Sequence, residues 1–169
     1  MGIADYICAM NRKFFALAVL LATVSVGSYA GDKTRYVNPF VGTAGFGNVY
    51  PGAHVPFGGI QISPDTDDYD YDTAAGYKYS RPTIMGFSLT HLSGTGIPDL
   101  GDFMFTPGEG ESRFSHEEES ASPGYYSVFL KDHGVLAEMT AAARSGIIRF
   151  TKSIPPFLYS ISQITTWML

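Results

Sequence analysis

Cysteine occurs once in the 169 residues, at Cys8, so no disulfide can form within the chain and a cysteine-rich zinc site is excluded. Charge is also scarce, with Asp, Glu, Lys and Arg making up 16% of residues, and the balance is acidic, a formal -5 with a pI near 5.2. No cluster of Lys and Arg is available to neutralise phosphates, which argues against nucleic acid as a partner. The one sustained apolar run, Phe14 to Val26, is shorter than the roughly 20 residues of a membrane-spanning helix. Internal repeats and low-complexity blocks are lacking too.

Apolar residues, by contrast, reach 45%, enough for one buried core. Aromatic residues at 14%, together with 19 Gly and 10 Pro, favour short strands joined by turns over helices. Near the start, Asn11-Arg12-Lys13 precedes the run Phe14 to Val26, and Gly27-Ser28-Tyr29-Ala30 places small residues at a cleavage site. This is the pattern of a signal peptide cut after Ala30, which predicts an exported protein, periplasmic or extracellular, with no membrane association after cleavage. Met1 to Ala9 fits no part of a signal, so translation is expected to start at Met10. Tyr6 stands where myristoylation requires Ser or Thr. The expected organisation is 1–30 signal peptide, 31–150 folded domain and 151–169 an aberrant tail with no evident folding role.

Thr34 to Gly47 predicts a short strand and a Gly-rich loop, since Pro39 forbids a regular helix. Ile60 to Ser63 predicts a half-buried strand ending at Pro64, and Asp65 to Asp72 with Gly76 to Tyr79 predicts an exposed loop or edge. Strand character returns at Ile84 to Leu92 and Gly101 to Thr106. Tyr125 to Lys131 alternates, with Tyr126, Val128 and Leu130 on one face, before the turn Asp132-His133-Gly134. Val135 to Ala143 reads as strand or helix, with a meander favoured, and Ile147 to Phe150 as the next strand. The fold class is therefore all-β, an antiparallel β-sandwich.

Several motifs fall away on inspection. The acidic run from Asp65 to Asp72 fails as a calcium loop: counted from Asp68, Thr73 replaces the required Gly and Tyr79 the bidentate Glu. No Gly-x-Ser-x-Gly elbow or phosphate loop is present, and Gly94-Thr95-Gly96 lacks the third glycine of a dinucleotide fingerprint. The four histidines show no zinc spacing. Glu117-Glu118-Glu119 cannot face one another across a substrate and reads as a charged surface turn. What remains is His91-Leu92-Ser93-Gly94-Thr95-Gly96, followed by Asp99 and Asp102, whose hydroxyls, carboxylates and permissive glycines can present donors and acceptors to sugar hydroxyls. The same residue types also serve to satisfy turn backbone.

The ordered strings Val37-Asn38-Pro39-Phe40-Val41-Gly42-Thr43, Tyr50-Pro51-Gly52-Ala53-His54-Val55-Pro56-Phe57-Gly58, Gly86 to Gly96, Asp99-Leu100-Gly101-Asp102 and Ser122-Pro123-Gly124-Tyr125-Tyr126-Ser127-Val128 resemble the N-terminal domain of glycoside hydrolase family 92, the calcium-dependent exo-acting α-mannosidases. The resemblance spans Tyr36 to Phe150. It implies a β-sandwich packed on a larger α-helical barrel domain, a sugar site at their junction and hydrolysis with inversion. The catalytic acid, the catalytic base and the calcium ligands are implied for that missing domain, so no catalytic or metal-binding residue is assigned here. The resemblance makes His91, Ser93, Gly94, Thr95, Gly96, Asp99 and Asp102 the residues expected to meet a mannose-containing glycan. The sequence departs from the family at Thr151 to Pro156, as a frameshift or truncation would produce. Two functions remain open: the pocket-shaping part of an exported α-mannosidase, inactive alone, or a stand-alone carbohydrate-binding or structural sandwich.

Overall fold

Tyr125–Leu130 forms a strand (β8) in which Tyr126, Val128 and Leu130 are buried and the alternate residues face outward, as period-two patterning requires. The computed structural model describes residues 33–66, 73–94, 103–152 and, by backbone, 162–168; the expected signal peptide lies outside the described residues. After a turn in which Gly134 takes φ 62, β9 (Val135–Ala141) is a strand and not a helix, turning Val135, Ala137 and Met139 inward. With β7 (Glu119–Ser122), β10 (Ser145–Lys152) and β11 (Ser162–Met168) it builds an antiparallel sheet of order β11-β10-β9-β8-β7. β11 gives the tail a folding role that its composition does not suggest, pairing Ser162 to Met168 with Thr151 to Ser145. Ladder hydrogen bonds need an extended backbone and no particular side chain, so an open edge accepts such a segment.

The facing sheet is shorter-stranded: β1 (Ala53–His54), β2 (Gln61–Asp65), β4 (Gly86–Ser88) and β5 (Met104–Phe105), antiparallel in the order β1-β2-β4-β5. β3 (Thr83–Ile84) and β6 (Ser112–Arg113) make a separate two-stranded ribbon. Ile60, Ile62 and Phe87 from one side and Tyr126, Val128, Leu130, Ala137, Met139 and Ile148 from the other form one core. Full burial of each large apolar side chain contributes about 1.5–3 kcal/mol. Phe87 and Phe150 meet across the layers with ring centroids 5.9 Å apart. The sheets come close at Gly146, where an added Cβ would meet Ile62 and stand 3.1 Å from Ile60 Cγ2. The all-β, antiparallel sandwich expected from the sequence is what the chain forms.

Four local expectations differ. Thr34–Tyr36 is a single 3-10 turn and not a strand, and the chain then turns through Asn38, whose side-chain oxygen accepts from the Phe40 amide at 3.0 Å. β2 runs through Pro64 to Asp65; pairing with β1 ends at Ile62, so the missing Pro N–H leaves no ladder bond unmade on that side. The stretch Ile84 to Leu92 is divided, because Ile84 pairs with β6 while Gly86 to Ser88 join the main sheet. Asp65 and Tyr77 are buried and not in an exposed loop. Each has hydrogen-bond partners contributed by distant elements.

On the surface, Asp132 receives the Arg113 side chain at 2.6 Å and the Arg113 amide at 2.7 Å. These bonds hold its carboxyl down at about 2. Because the folded value lies below the unfolded one, this contribution is present above about pH 4 and is lost as pH falls through about 2. Asp132→Asn should therefore lower the urea midpoint near neutral pH, and the gap from the unsubstituted protein should close on acidification. A gap that stays constant with pH would contradict the assignment.

Candidate functional site

Asp65, the last residue of β2, is fully buried, and a carboxylate there requires compensating partners. Ser88 of β4 donates its hydroxyl to Asp65 Oδ2 at 2.5 Å, and His91 Nε2 lies 2.9 Å from Oδ1. The other ring nitrogen, His91 Nδ1, is 2.8 Å from the Gln61 carbonyl. A carbonyl only accepts, so Nδ1 carries its hydrogen, and the Nε2 to Oδ1 contact then holds one further proton between imidazole and carboxyl. Gly76, at φ 78, closes the network: a Cβ on it would sit 2.6 Å from Asp65 Oδ1 and 3.1 Å from His91 Nε2. This is not a nucleophilic triad. The serine hydroxyl bonds the carboxylate and not the imidazole, and all three side chains are shut away from solvent.

The network reaches the surface through Tyr50. Its ring packs on His91 with centroids 5.2 Å apart and, edge to face, on His54 at 5.6 Å. Burial pushes the Tyr50 phenol up, so it remains an O–H donor. Tyr50 and His54 line a groove of about 320 Å³ with Val37, Val41, Pro56 and Pro123. The groove therefore gathers the first two sequence strings and the Ser122 to Gly124 turn of the last. Beside it, the Gly94 amide donates to the Asn48 carbonyl at 2.7 Å, tying the His91 loop to the segment that carries Tyr50. Asn48 takes φ 46, a left-handed conformation that asparagine adopts more readily than most residues.

Of the residues expected to meet sugar, His91 points inward at 1% exposure, whereas Ser93 and Gly94 are exposed. Thr95, Gly96, Asp99 and Asp102 lie outside the described residues, as does the acidic stretch Asp67 to Asp72. The network adds Asp65, Ser88 and Gly76, and the groove adds Tyr50 and His54, none of which is among the residues expected to meet sugar. The usable signal was the alternation of Gln61, Ser63 and Asp65, which puts the first and last on one side of β2.

A second polar cluster surrounds Glu119. The sequence reads it as part of a charged surface turn, yet its side chain is 1% exposed, because strand phase turns the first residue of β7 inward. Tyr126 donates to Glu119 Oε1 at 2.5 Å, Tyr77 at 2.9 Å, and His116 Nδ1 lies 2.6 Å from Oε2. Burial first, and then the Glu119 charge, push both phenols well above the usual range. His116 Nε2 faces the Tyr79 carbonyl at 2.8 Å, and its ring stacks on Tyr79 with centroids 3.8 Å apart. These groups are occupied with one another and serve the fold. Among the described residues no group of three or more His, Cys, Asp or Glu is placed to hold a metal ion. Exposed Val41, Phe46, Phe57 and Leu92 lie in the connecting loops.

Comparison with known proteins agrees with the fold. The model of the glycosyl hydrolase family 92 N-terminal domain matches residues 36–154. An uncharacterized secreted glycosidase of Arthroderma benhamiae is 32% identical over 150 residues, which cover 79% of this chain and 19% of that protein. A family GH92 alpha-mannosidase from Bacteroides thetaiotaomicron superimposes with a TM-score of 0.67 at 63% identity, over 70% of this chain and 18% of its own. That enzyme has also been solved in complex with mannoimidazole. A GH92 inverting mannosidase of Bacteroides thetaiotaomicron VPI-5482 matches at 25% identity and a TM-score of 0.56, over 79% of this chain and 19% of its own. The chain thus spans about a fifth of the length of these relatives. No helix among the described residues is long and apolar enough to cross a membrane.

Proposed function

Because the chain belongs to glycoside hydrolase family 92 through its N-terminal domain, we propose that it forms the sandwich wall of the sugar site in an exported α-mannosidase. The observation that carries this reading is the bond from Gly94 to Asn48, which sets the exposed Ser93-Gly94 turn beside the groove of Tyr50 and His54. A neutral pyranose needs a concave, largely apolar surface with a few fixed polar groups, and among the described residues this groove is lined by no Asp, Glu, Lys or Arg. Ser93 and Thr95 would offer hydroxyls, Asp99 and Asp102 would accept from sugar hydroxyls, and Gly94 and Gly96 would let the backbone approach closely. The exposed loop side chains Val41, Phe46, Phe57 and Leu92 are suited to packing against a further domain.

In this reading the general acid, the general base and the calcium ion belong to an α-helical domain beyond this chain. Inversion requires two carboxyl groups set about 6.5–9.5 Å apart, with room for water between sugar and base. Asp65 and Glu119 are engaged with internal donors, and Asp132, Glu138 and Glu118 with Arg113, Arg149 and Lys131. The chain alone is expected to release no mannose from α-linked mannobiose. A protein carrying this sandwich joined to the family's helical domain is expected to hydrolyse it with inversion, read from the first-formed anomer by proton NMR, and to stop on calcium chelation. Turnover by the chain alone, or a retained anomer from the joined protein, would sink the proposal.

A further inference from the structure

We infer that His91 serves the sugar site as a positioning residue, holding the Ser93-Gly94 turn in place from beneath without touching the sugar; the inference rests on the sugar-wall reading above. His91 is only 1% exposed, and both its ring nitrogens are taken, by Gln61 O at 2.8 Å and Asp65 Oδ1 at 2.9 Å. Two residues later the chain is in solvent, and one residue beyond that the Gly94 amide is fixed to Asn48. The turn is thus held at two points, one through His91 to β2 and the other through Asn48 to the segment of Tyr50. Tyr50 packs on the imidazole itself, so the same clamp sets the floor of the groove.

The clamp works through hydrogen bonds and packing, and this distinguishes it from a charge acting at a distance. Asp65 uses one oxygen to accept from Ser88 and the other to meet His91 Nε2. An amide in its place can accept from Ser88 with its oxygen and donate to a neutral imidazole with its nitrogen, which preserves both links. Asp65→Asn should therefore be tolerated where Asp65→Ala is not. Gly76 faces the pair closely, since a Cβ there would stand 2.6 Å from Asp65 Oδ1 and 3.1 Å from His91 Nε2.

Two readouts on the full chain test this: amide hydrogen exchange, and calorimetric titration with α-linked mannobiose. In His91→Ala and Asp65→Ala the Gly94 amide should exchange about tenfold faster or more, while amides of Val128 and Ala137 stay within about twofold of the unsubstituted protein. Mannobiose affinity should fall by about tenfold in both variants and stay within about threefold in Asp65→Asn. Rescue by the amide is the result that a merely stabilising residue does not require at the sugar. Unchanged Gly94 exchange in His91→Ala overturns the clamp. Faster exchange with unchanged affinity, or Asp65→Asn behaving like Asp65→Ala, overturns the positioning role. If the unsubstituted chain binds no mannobiose, the same variants are assayed in the protein joined to the family's helical domain, where an unchanged KM in His91→Ala overturns the positioning role, and the exchange data on the chain still decide whether the clamp exists.

Discussion

Gly52→Ala is expected to unfold the protein or to cost it about 3 kcal/mol or more, although it adds only one methyl group. Gly52 is buried immediately before β1, and its missing side chain is what lets β1 lie against β2. A Cβ there would be driven into the Ile62 carbonyl oxygen and the Ser63 Cβ, and would stand 2.5 Å from Ser63 Cα. These are backbone and near-backbone atoms, so no rotamer change relieves the clash and the strands themselves must separate. Separation would move Ile60 and Ile62 out of the core. Equilibrium urea unfolding measures the cost. Gly59→Ala is the control for an added methyl, since the nearest atom to its Cβ position is the Ala143 carbonyl oxygen at 3.8 Å, an ordinary contact, and its backbone is not left-handed. A Gly52→Ala protein as stable as the control would show that β1 is not held against β2 as described.

Glu119→Ala should lower the unfolding free energy by about 3–5 kcal/mol, because it strands the hydroxyls of Tyr77 and Tyr126, each costing about 1–3 kcal/mol, and removes the partner of His116. For a domain of this size the melting temperature should drop by roughly 10 °C or more. Glu119→Gln keeps a carbonyl acceptor for the tyrosines and should lose about half as much. Thermal unfolding followed by circular dichroism separates the variants. A loss below about 1 kcal/mol in Glu119→Ala would mean that the two phenols find other partners, and the cluster would not be the structural tie described.

The two cases differ in what could be read beforehand. Gly52 sits in the string Tyr50-Pro51-Gly52-Ala53, which the family resemblance singled out, and a glycine between Pro and a strand is a recognisable sign of close approach. Glu119 gave the opposite sign: three consecutive acids look like a solvated turn, and for Glu117 and Glu118 that is what they form. Only the phase of β7 separates the third from the first two, and the phase depends on where the strand begins. The sequence marks His91 as the first residue of a candidate loop, but its inward direction is not legible there, because the residue that turns it inward, Asp65, reads as the beginning of an exposed acidic stretch.

The sequence by itself determined the elements whose causes are local. Alternation set the faces of Tyr125 to Leu130, glycine and proline set the breaks between strands, and the ordered strings marked the family. Which polar residues belong inside was decided only by tertiary structure. His91 finds Asp65 across 26 residues, and Tyr77 finds Glu119 across 42. A buried carboxyl is stable or prohibitive according to the donors that meet it, and here those donors arrive from strands paired far apart in the chain.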